Sequence, residues 1–576
     1  MTSPTWAVTK RLPSSLAPLL VLYVACIVRF HIRDELQVQV LTPFNIAILL
    51  SGLVSLFAIA WMVDILIPQN WILKFLAGAS VVTGYVVLST YHLRSHVMLD
   101  YAVIAENASL AFHKESMELL SQIPRRDDYV LWIGFLLAVG ILQWKWKTPP
   151  RLPAKRRCWM LLALLGVYAL CVQFLPYSYD EMTCFAQSAY QYYFPRKSLF
   201  SILNPSAQFP YSTELVTPKK DDPPQHVFII MVESFNANFA HNTTPEGKPY
   251  TPFFDALTSQ GLFFDNFFGN SMQTPKGQLS VLASIPDLSS GKVFTDCHEL
   301  NLHCLPQILK ENGFETFYFQ GQTSLDFDNT GRFMRRNGFH HVHSINEEFL
   351  SHEELSRYKW GWGVQDNILY QKAFQYLDSV SNANRSSGKK ERYFVLLATI
   401  SNHAKFKNVP PAQRYLYPEQ RTKKEQYANS IRVTDGYLKT FFAELHQRDY
   451  LSNSIVLITG DHSFPVGEHG YYDNESGFYN EYFKTPLLIW GKGIGCGTSH
   501  EIHSQLDIAP TVLELLGVSA KVHFRGRSLF SGADRYVPLV QPYAGSCLGV
   551  ISFPYKYVYR NRGHEEYLFD LGKDPL

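Results

Sequence analysis

The strongest constraint on this 576-residue chain is that its long apolar segments are all gathered before residue 177. Five stand out, Leu12–Phe30, Pro43–Leu66, Ile72–Tyr91, Tyr129–Trp144 and Cys158–Pro176. Each is near the roughly 20 residues a helix needs to cross a hydrocarbon core, the fourth being the shortest. A cleavable signal peptide accounts for the first alone, but no small-residue cleavage site follows it and four more segments do. Trp61, Trp71, Trp132, Trp144, Trp146 and Trp159 stand at or near the segment ends, where interfacial aromatics collect. The expectation is a membrane domain of five transmembrane helices over residues 1–176. A chain of this length also exceeds one core, so a second structural unit is expected.

The loops give an orientation. Lys145, Lys147, Arg151, Lys155, Arg156 and Arg157 crowd the connection between the fourth and fifth segments with no acidic residue among them, and Lys10 and Arg11 precede the first. With five spans both regions share a side, which the positive-inside rule makes cytoplasmic. The loop at 92–128 and everything after Pro176 then lie outside. Asp64 and Lys74 sit at segment ends, where snorkelling accounts for them better than a transport pathway does. A net charge of +2 argues neither for nor against nucleic acid, and no nucleic-acid partner is expected. Cys297 and Cys304 bracket a short loop that an oxidising compartment would close as a disulfide, with a zinc site from the same Cys and His residues as the rival. Cys496 and Cys547 offer a second bridge.

Residues 177–225 are irregular and polar, with an aromatic cluster at Tyr190–Phe194 suited to headgroups, and they end in a Pro-Lys-Lys-Asp-Asp-Pro-Pro linker. From 226 to 576 strand-like and helix-like stretches alternate. Phe314–Phe319, Tyr393–Ile400, Ile455–Thr459 and Pro486–Trp490 read as strands; Leu305–Asn312, Asp366–Val380, Glu425–Gln447 and Asp507–Leu516 read as helices. That order predicts an α/β domain with a mostly parallel sheet, and the β-rich tail predicts an antiparallel addition.

Chemistry gathers at strand ends. The apolar run Ile455–Thr459 leads into Gly460-Asp461-His462, setting a carboxylate beside an imidazole where open α/β sheets place their ligands. A second run, Val227–Val232, ends in Glu233. Asp, Glu and neutral His suit a divalent cation. Thr274-Pro275 has the form of a helix N-cap with proline at the first helical position, and such helix ends stabilise anions. Beside a cation, the Thr274 hydroxyl has what a nucleophile needs. The structural alternative is that Thr274 caps a helix and Glu233 solvates a strand end.

These residues carry a resemblance. Val232-Glu233-Ser234-Phe235, Gln273-Thr274-Pro275-Lys276-Gly277-Gln278, Ser401-Asn402-His403, Gly460-Asp461-His462 and Ser504–Thr511 resemble segments of the sulfatase and alkaline-phosphatase superfamily. The whole layout is similar to lipoteichoic-acid-synthase-type phosphoglycerol transferases, which carry five spans and an extracytoplasmic catalytic domain. The resemblance implies one divalent cation, Mn, Mg or Zn, on Glu233, Thr274, Asp461 and His462. It implies Thr274 as nucleophile and His403 as the residue that contacts the phosphoryl group or handles the leaving group's proton.

Two places depart from that pattern. Gln320-Gly321 stands where those synthases have a histidine before glycine, and Arg332 is the nearest stand-in for their arginine, so both are candidate substrate contacts. Gly467-Glu468-His469-Gly470 is more similar to sulfatases and phosphoethanolamine transferases; His469 either binds substrate phosphate or orients its loop. The resulting expectation is a metal-dependent transferase of the plasma (inner) membrane, its catalytic domain extracytoplasmic or periplasmic. It would move phosphoglycerol from a membrane phospholipid to an envelope glycan through a phospho-threonine. The rivals are phosphoethanolamine transfer to lipopolysaccharide or glycan, and a sulfatase-like hydrolase or phosphodiesterase. Sulfatases of the usual kind need Cys or Ser in a Cys/Ser-x-Pro-x-Arg motif, and Thr274 cannot become formylglycine.

Overall fold

The computed structural model describes residues 212–574, apart from 290, 298–299, 449, 475–476, 533–534, 544–546 and 561–564. Of the first 205 it describes chiefly 71–95, 126–145 and 181–193. The chain divides into two compact units, 1–205 and 206–576.

In the first unit, α1 (Trp71–Ser95) and α2 (Arg126–Lys145) occupy the positions read as the third and fourth spans, and α3 (Glu181–Tyr193) packs on α1. The Trp132 indole donates to the Thr83 hydroxyl at 2.9 Å, tying α2 to α1. Among the described residues no helix is long and apolar enough to cross a membrane. The segments read as the first and second spans lie outside the described residues, as does most of the fifth.

The second unit is built on an eight-stranded sheet. In chain order its strands are β1 (His226–Val232), β2 (Leu262–Phe264), β3 (Glu315–Gln320), β4 (His341–Ser344), β5 (Tyr393–Ala398), β6 (Ser454–Gly460), β7 (Leu487–Gly491) and β8 (Gly497–Ser499). They lie side by side in the order β8-β2-β7-β6-β1-β5-β3-β4, and only β7 runs against its neighbours. The continuous apolar run of β1 follows from burial on both faces. Phe228, Ile230 and Val232 enter one core with helices α5 (Asp366–Ser386) and α6 (Lys423–Gln447). Val227, Ile229 and Met231 enter the other with α4 (Thr274–Ala283) and α7 (Ile508–Leu516). The α/β expectation holds, and the tail forms an antiparallel sheet of β9 (Val537–Gln541), β10 (Cys547–Ser552), β11 (Tyr555–Arg560) and β12 (Glu565–Asp570).

Three expectations are corrected. Cys297 and Cys304 are free thiols; Cys304 is buried in the core and its thiol donates to the Asn337 carbonyl at 3.4 Å. Cys496 is exposed and Cys547 buried, so they do not form the second bridge either. Thr274 is not the N-cap of α4 but its first helical residue; Gln273 caps, and Pro275 follows within the first turn, where no donor is needed.

Candidate active site

One register sets the centre. Parallel pairing aligns Gly460 of β6 with Val232 of β1, so the residues that follow, Asp461 and Glu233, leave the sheet side by side. The Asp461 amide donates to the Val232 carbonyl at 3.2 Å, locking that exit. Glu233, Asp461 and His462 each offer a ligand atom, all within 4.8 Å of one another, and all three are buried. His462 Nε2 lies 3.5 Å from Glu233 Oε1 and 3.6 Å from Asp461 Oδ2. Its Nδ1 is 2.8 Å from the Ser463 carbonyl, which fixes the proton there and leaves Nε2 as the ligand nitrogen.

A serine that the sequence reading passed over organises both carboxylates. Ser234 sits at φ +53°, its hydroxyl donating to Glu233 Oε1 at 2.6 Å and its amide to Asp461 Oδ1 at 2.9 Å. The His462 amide adds a second bond to Asp461 Oδ1 at 2.7 Å. Asp461 Oδ2 is buried with no hydrogen-bond partner. Burial, followed by the neighbouring Asp461, pushes the Glu233 carboxyl up to about 8. Two desolvated carboxylates, an orphaned oxygen and an oriented imidazole form a donor set that fits a divalent cation.

Helix α4 brings Thr274 to this centre, its hydroxyl 3.5 Å from Glu233 Oε2. The approach requires glycine three residues on, because a methyl at Gly277 would run into the Asp461 carbonyl. Gln505, in the Ser504–Thr511 segment, donates at 2.8 Å to the carbonyls of both Gly460 and Asp461. That segment therefore braces the loop carrying Asp461 and His462.

His403 stands in a tightly held loop. Asp366 Oδ1 accepts from the Ile400 and Ser401 amides at 2.9 and 3.0 Å, and the Ser401 hydroxyl accepts from the Asp366 amide at 3.0 Å. The Asn402 side chain donates to the Glu233 and Ser234 carbonyls, both at 3.2 Å, placing this loop against the first ligand. His403 Nδ1 lies 2.7 Å from the Ala404 carbonyl, and its ring centroid is 6.1 Å from that of Trp362.

The other sequence candidates have different surroundings. Gln320 is nearly buried, its amide donating to Ser324 O and Ser344 Oγ at 2.9 Å each while its oxygen accepts from the Tyr318 hydroxyl. It ties the loop after β3 to the sheet. His469 Nδ1 is 2.8 Å from the buried Glu481 carboxylate and its ring stacks on Tyr479 at 3.9 Å, the arrangement of a loop anchor. Arg332 is exposed on the short helix Thr330–Arg336.

Comparisons with known proteins bear on the family and the fold. A match to the sulfatase family spans residues 225–518. Lipoteichoic acid synthase 2 of Bacillus subtilis is 25% identical over 337 residues, 54% of this chain and 47% of that protein. The lipoteichoic acid synthase of Staphylococcus aureus strain USA300 is 24% identical over 362 residues, 59% of this chain and 53% of that one. The chain thus spans about half the length of the curated relatives it matches. Two solved structures share the fold. A protein of the alkaline phosphatase superfamily from Vibrio parahaemolyticus has TM-score 0.50, 24% identity and coverage of 63% of this chain and 83% of its own. The lipoteichoic acid synthase LtaP of Listeria monocytogenes has TM-score 0.51, 19% identity and coverage of 62% and 91%. The family match covers 294 of the 576 residues (225 through 518), around the strand ends that carry Glu233 and Asp461, and the chain belongs to the sulfatase family.

Proposed function

We propose that this chain is a phosphoglycerol transferase, moving the head group of a membrane phospholipid to a hydroxyl of an envelope glycan. The observation that carries the reading is the Thr274 hydroxyl, 3.5 Å from Glu233 Oε2 at the first turn of a helix. In the first half-reaction Thr274 Oγ attacks phosphorus, its hydroxyl proton is lost, and the bond to the diacylglycerol oxygen breaks. Diacylglycerol leaves after taking up a proton, and phosphoglycerol stays on threonine. In the second, the acceptor hydroxyl attacks, the Thr274 Oγ–phosphorus bond breaks, and threonine regains its proton. Glu233, Asp461, His462 and Thr274 would hold one divalent cation, which when bound lowers a hydroxyl pKa and offsets phosphoryl charge. The positive end of the α4 dipole favours the same anion. His403, aimed by Asp366 and Asn402, serves the proton transfers.

The donor is drawn from the bilayer in this reading. The five apolar segments of residues 1–176 anchor the chain, and the basic connection at 145–157 keeps that side cytoplasmic with the α/β domain outside. Holding the site near its lipid raises effective concentration.

The test is intact mass of the full chain in detergent after exposure to phosphatidylglycerol or phosphatidylethanolamine with manganese or zinc, beside Thr274→Ala. A mass gain of one phosphoglycerol on the wild type alone is the expected result. A phosphoethanolamine adduct would reassign the head group, and lipid consumed without adduct or acceptor would make the protein a hydrolase.

A further inference from the structure

Beside His403 the chain makes a tight hairpin, Lys359–Trp360 paired with Gly363–Val364. It stands at the sheet edge where Glu233 emerges. Register aligns Gln320 of β3 with Ala398 of β5, and Ala398 with Met231 of β1. Gly321 therefore leaves the sheet level with Val232, two strands away, or roughly 10 Å at about 4.8 Å per strand. The hairpin is seated on that exit. The Val364 amide donates to the Gly321 carbonyl at 3.0 Å, and Gln322 bridges to Gly363. The fit is close enough that a methyl at Gly363 would run into the Gly321 carbonyl.

Its tryptophans, Trp360 and Trp362, are placed differently. Trp360 is buried; its indole donates to the Ser401 carbonyl at 2.8 Å and its ring meets Tyr437 edge-on at 6.4 Å. It anchors the hairpin to the loop of His403, which Asp366 grips as well through the Ile400 and Ser401 amides. Trp362, at the tip, is half-buried, and its ring centroid lies 6.1 Å from that of His403 with the planes tilted at 60°. His403 Nδ1, 2.7 Å from the Ala404 carbonyl, carries the proton, which makes Nε2 the basic nitrogen. Asn402 ties this loop to the Glu233 and Ser234 carbonyls. The Trp362 indole therefore borders the site on the side where His403 works.

In a two-step transfer one imidazole serves twice, giving a proton to the oxygen that leaves and taking one from the oxygen that arrives. The acceptor hydroxyl has to come up to His403, and whatever carries that hydroxyl lies against the neighbouring indole. An indole offers a broad face of negative potential, which matches the C–H-lined face of a sugar ring. A hairpin tip pinned by Trp360 and Gly321 presents that face with little left to order on binding. We propose that Trp362 is the acceptor platform, stacking on a sugar ring of the glycan so that one of its hydroxyls meets His403. The proposal rests on the transfer reading above and deepens it by making the acceptor a sugar ring rather than an open-chain polyol. In the step it serves, the sugar oxygen bonds to phosphorus and its proton passes to His403 Nε2. The bond from phosphorus to Thr274 Oγ breaks, and Thr274 takes up a proton.

The test separates the half-reactions. Full chain in detergent with manganese is loaded from phosphatidylglycerol, freed of lipid, and discharged with methyl glucoside or glycerol. Loss of the adduct mass is followed against acceptor concentration. In the wild type, methyl glucoside should reach half-maximal discharge at a lower concentration than glycerol. Trp362→Ala should raise the methyl glucoside concentration required about tenfold and move the glycerol value by less than about twofold. Trp362→Phe, which keeps an aromatic face, should recover most of the loss. A tryptophan that only held the loop in place would shift both acceptors together. Equal shifts for the two acceptors, no shift, or a wild type discharged by glycerol and not by methyl glucoside would each overturn the proposal and leave the transfer reading standing. So would loss of the adduct in both Trp362 variants while the wild type forms it. A wild type that forms no adduct defeats the transfer reading itself, and the platform with it.

Discussion

Ser234 holds two carboxylates that would otherwise repel each other, and it does so with its hydroxyl and its own amide. Removing the hydroxyl leaves Glu233 free to turn, so Ser234→Ala is expected to weaken divalent-metal affinity about 10- to 100-fold while the fold persists, as read by metal titration of the purified chain. Thr274→Ala should abolish adduct formation and lower transfer by about 10³-fold or more, with metal affinity less affected than by Asp461→Asn. Equal metal affinity in Ser234→Ala and wild type would assign Ser234 to backbone geometry alone. The cluster of Glu233, Asp461 and His462 was legible in the sequence because apolar runs of strand length lead directly into it. The bracing roles of Ser234, Asn402 and Gln505 were not, although the segments that hold them had been singled out. A polar residue in a loop looks the same whether it faces water or grips a buried carboxylate, and only the register of β1 on β6 tells them apart. His469 was left open between two roles, and its bond to buried Glu481 favours the anchor.

The same division holds for elements. Long periodic helices and fully buried strands were readable, since burial on one helical face or on both sheet faces leaves a pattern. The three-residue strands β2 and β8 were not, because pairing at the sheet's edge decides them and so short a run carries no period. The tail sheet shows what an element adds. Lys556 of β11 is 2% exposed and reaches out of the sheet to Phe478 O at 2.6 Å and Asn480 Oδ1 at 3.0 Å, docking the sheet on the loop that carries Glu481. Burial pulls its ammonium down to about 7, with Glu481 opposing. The folded value lies below the ordinary lysine value near 10.4, so this group's contribution is whole above that pH and is lost as pH falls towards 7. Stability should drop by as much as about 1.4 kcal/mol per pH unit on that account across the window. Lys556→Met should flatten the slope of unfolding free energy between pH 7 and 9.5, measured by denaturant titration, and an unchanged slope would show that Lys556 stays charged.

At the scale of the molecule, the division into two units places a boundary near residue 205, while a reading by composition puts the catalytic domain's start after the linker, at 226. The difference has a physical cause. Proline and charge mark 218–224 as linker, yet just before them Thr213–Leu215 pairs antiparallel with Ala520–Val522, a strand too short to leave a pattern. The Thr217 amide adds a bond to Ser519 Oγ at 3.0 Å, Leu215 packs on the core, and Val522 is 2% exposed beneath this cover. Composition thus reports the looseness of the connection and misses that its near end is sewn onto the domain. A soluble chain beginning at residue 206 should therefore fold and melt as one unit, and one beginning at residue 226 should melt lower. The lost ladder bonds and the uncovered Val522 amount to about 1–2 kcal/mol, or a Tm lower by a few degrees for a domain of this size. Equal Tm values would make the paired strand an ornament of the linker. A chain from 206 that fails to fold would mean that the first 205 residues are needed for its folding.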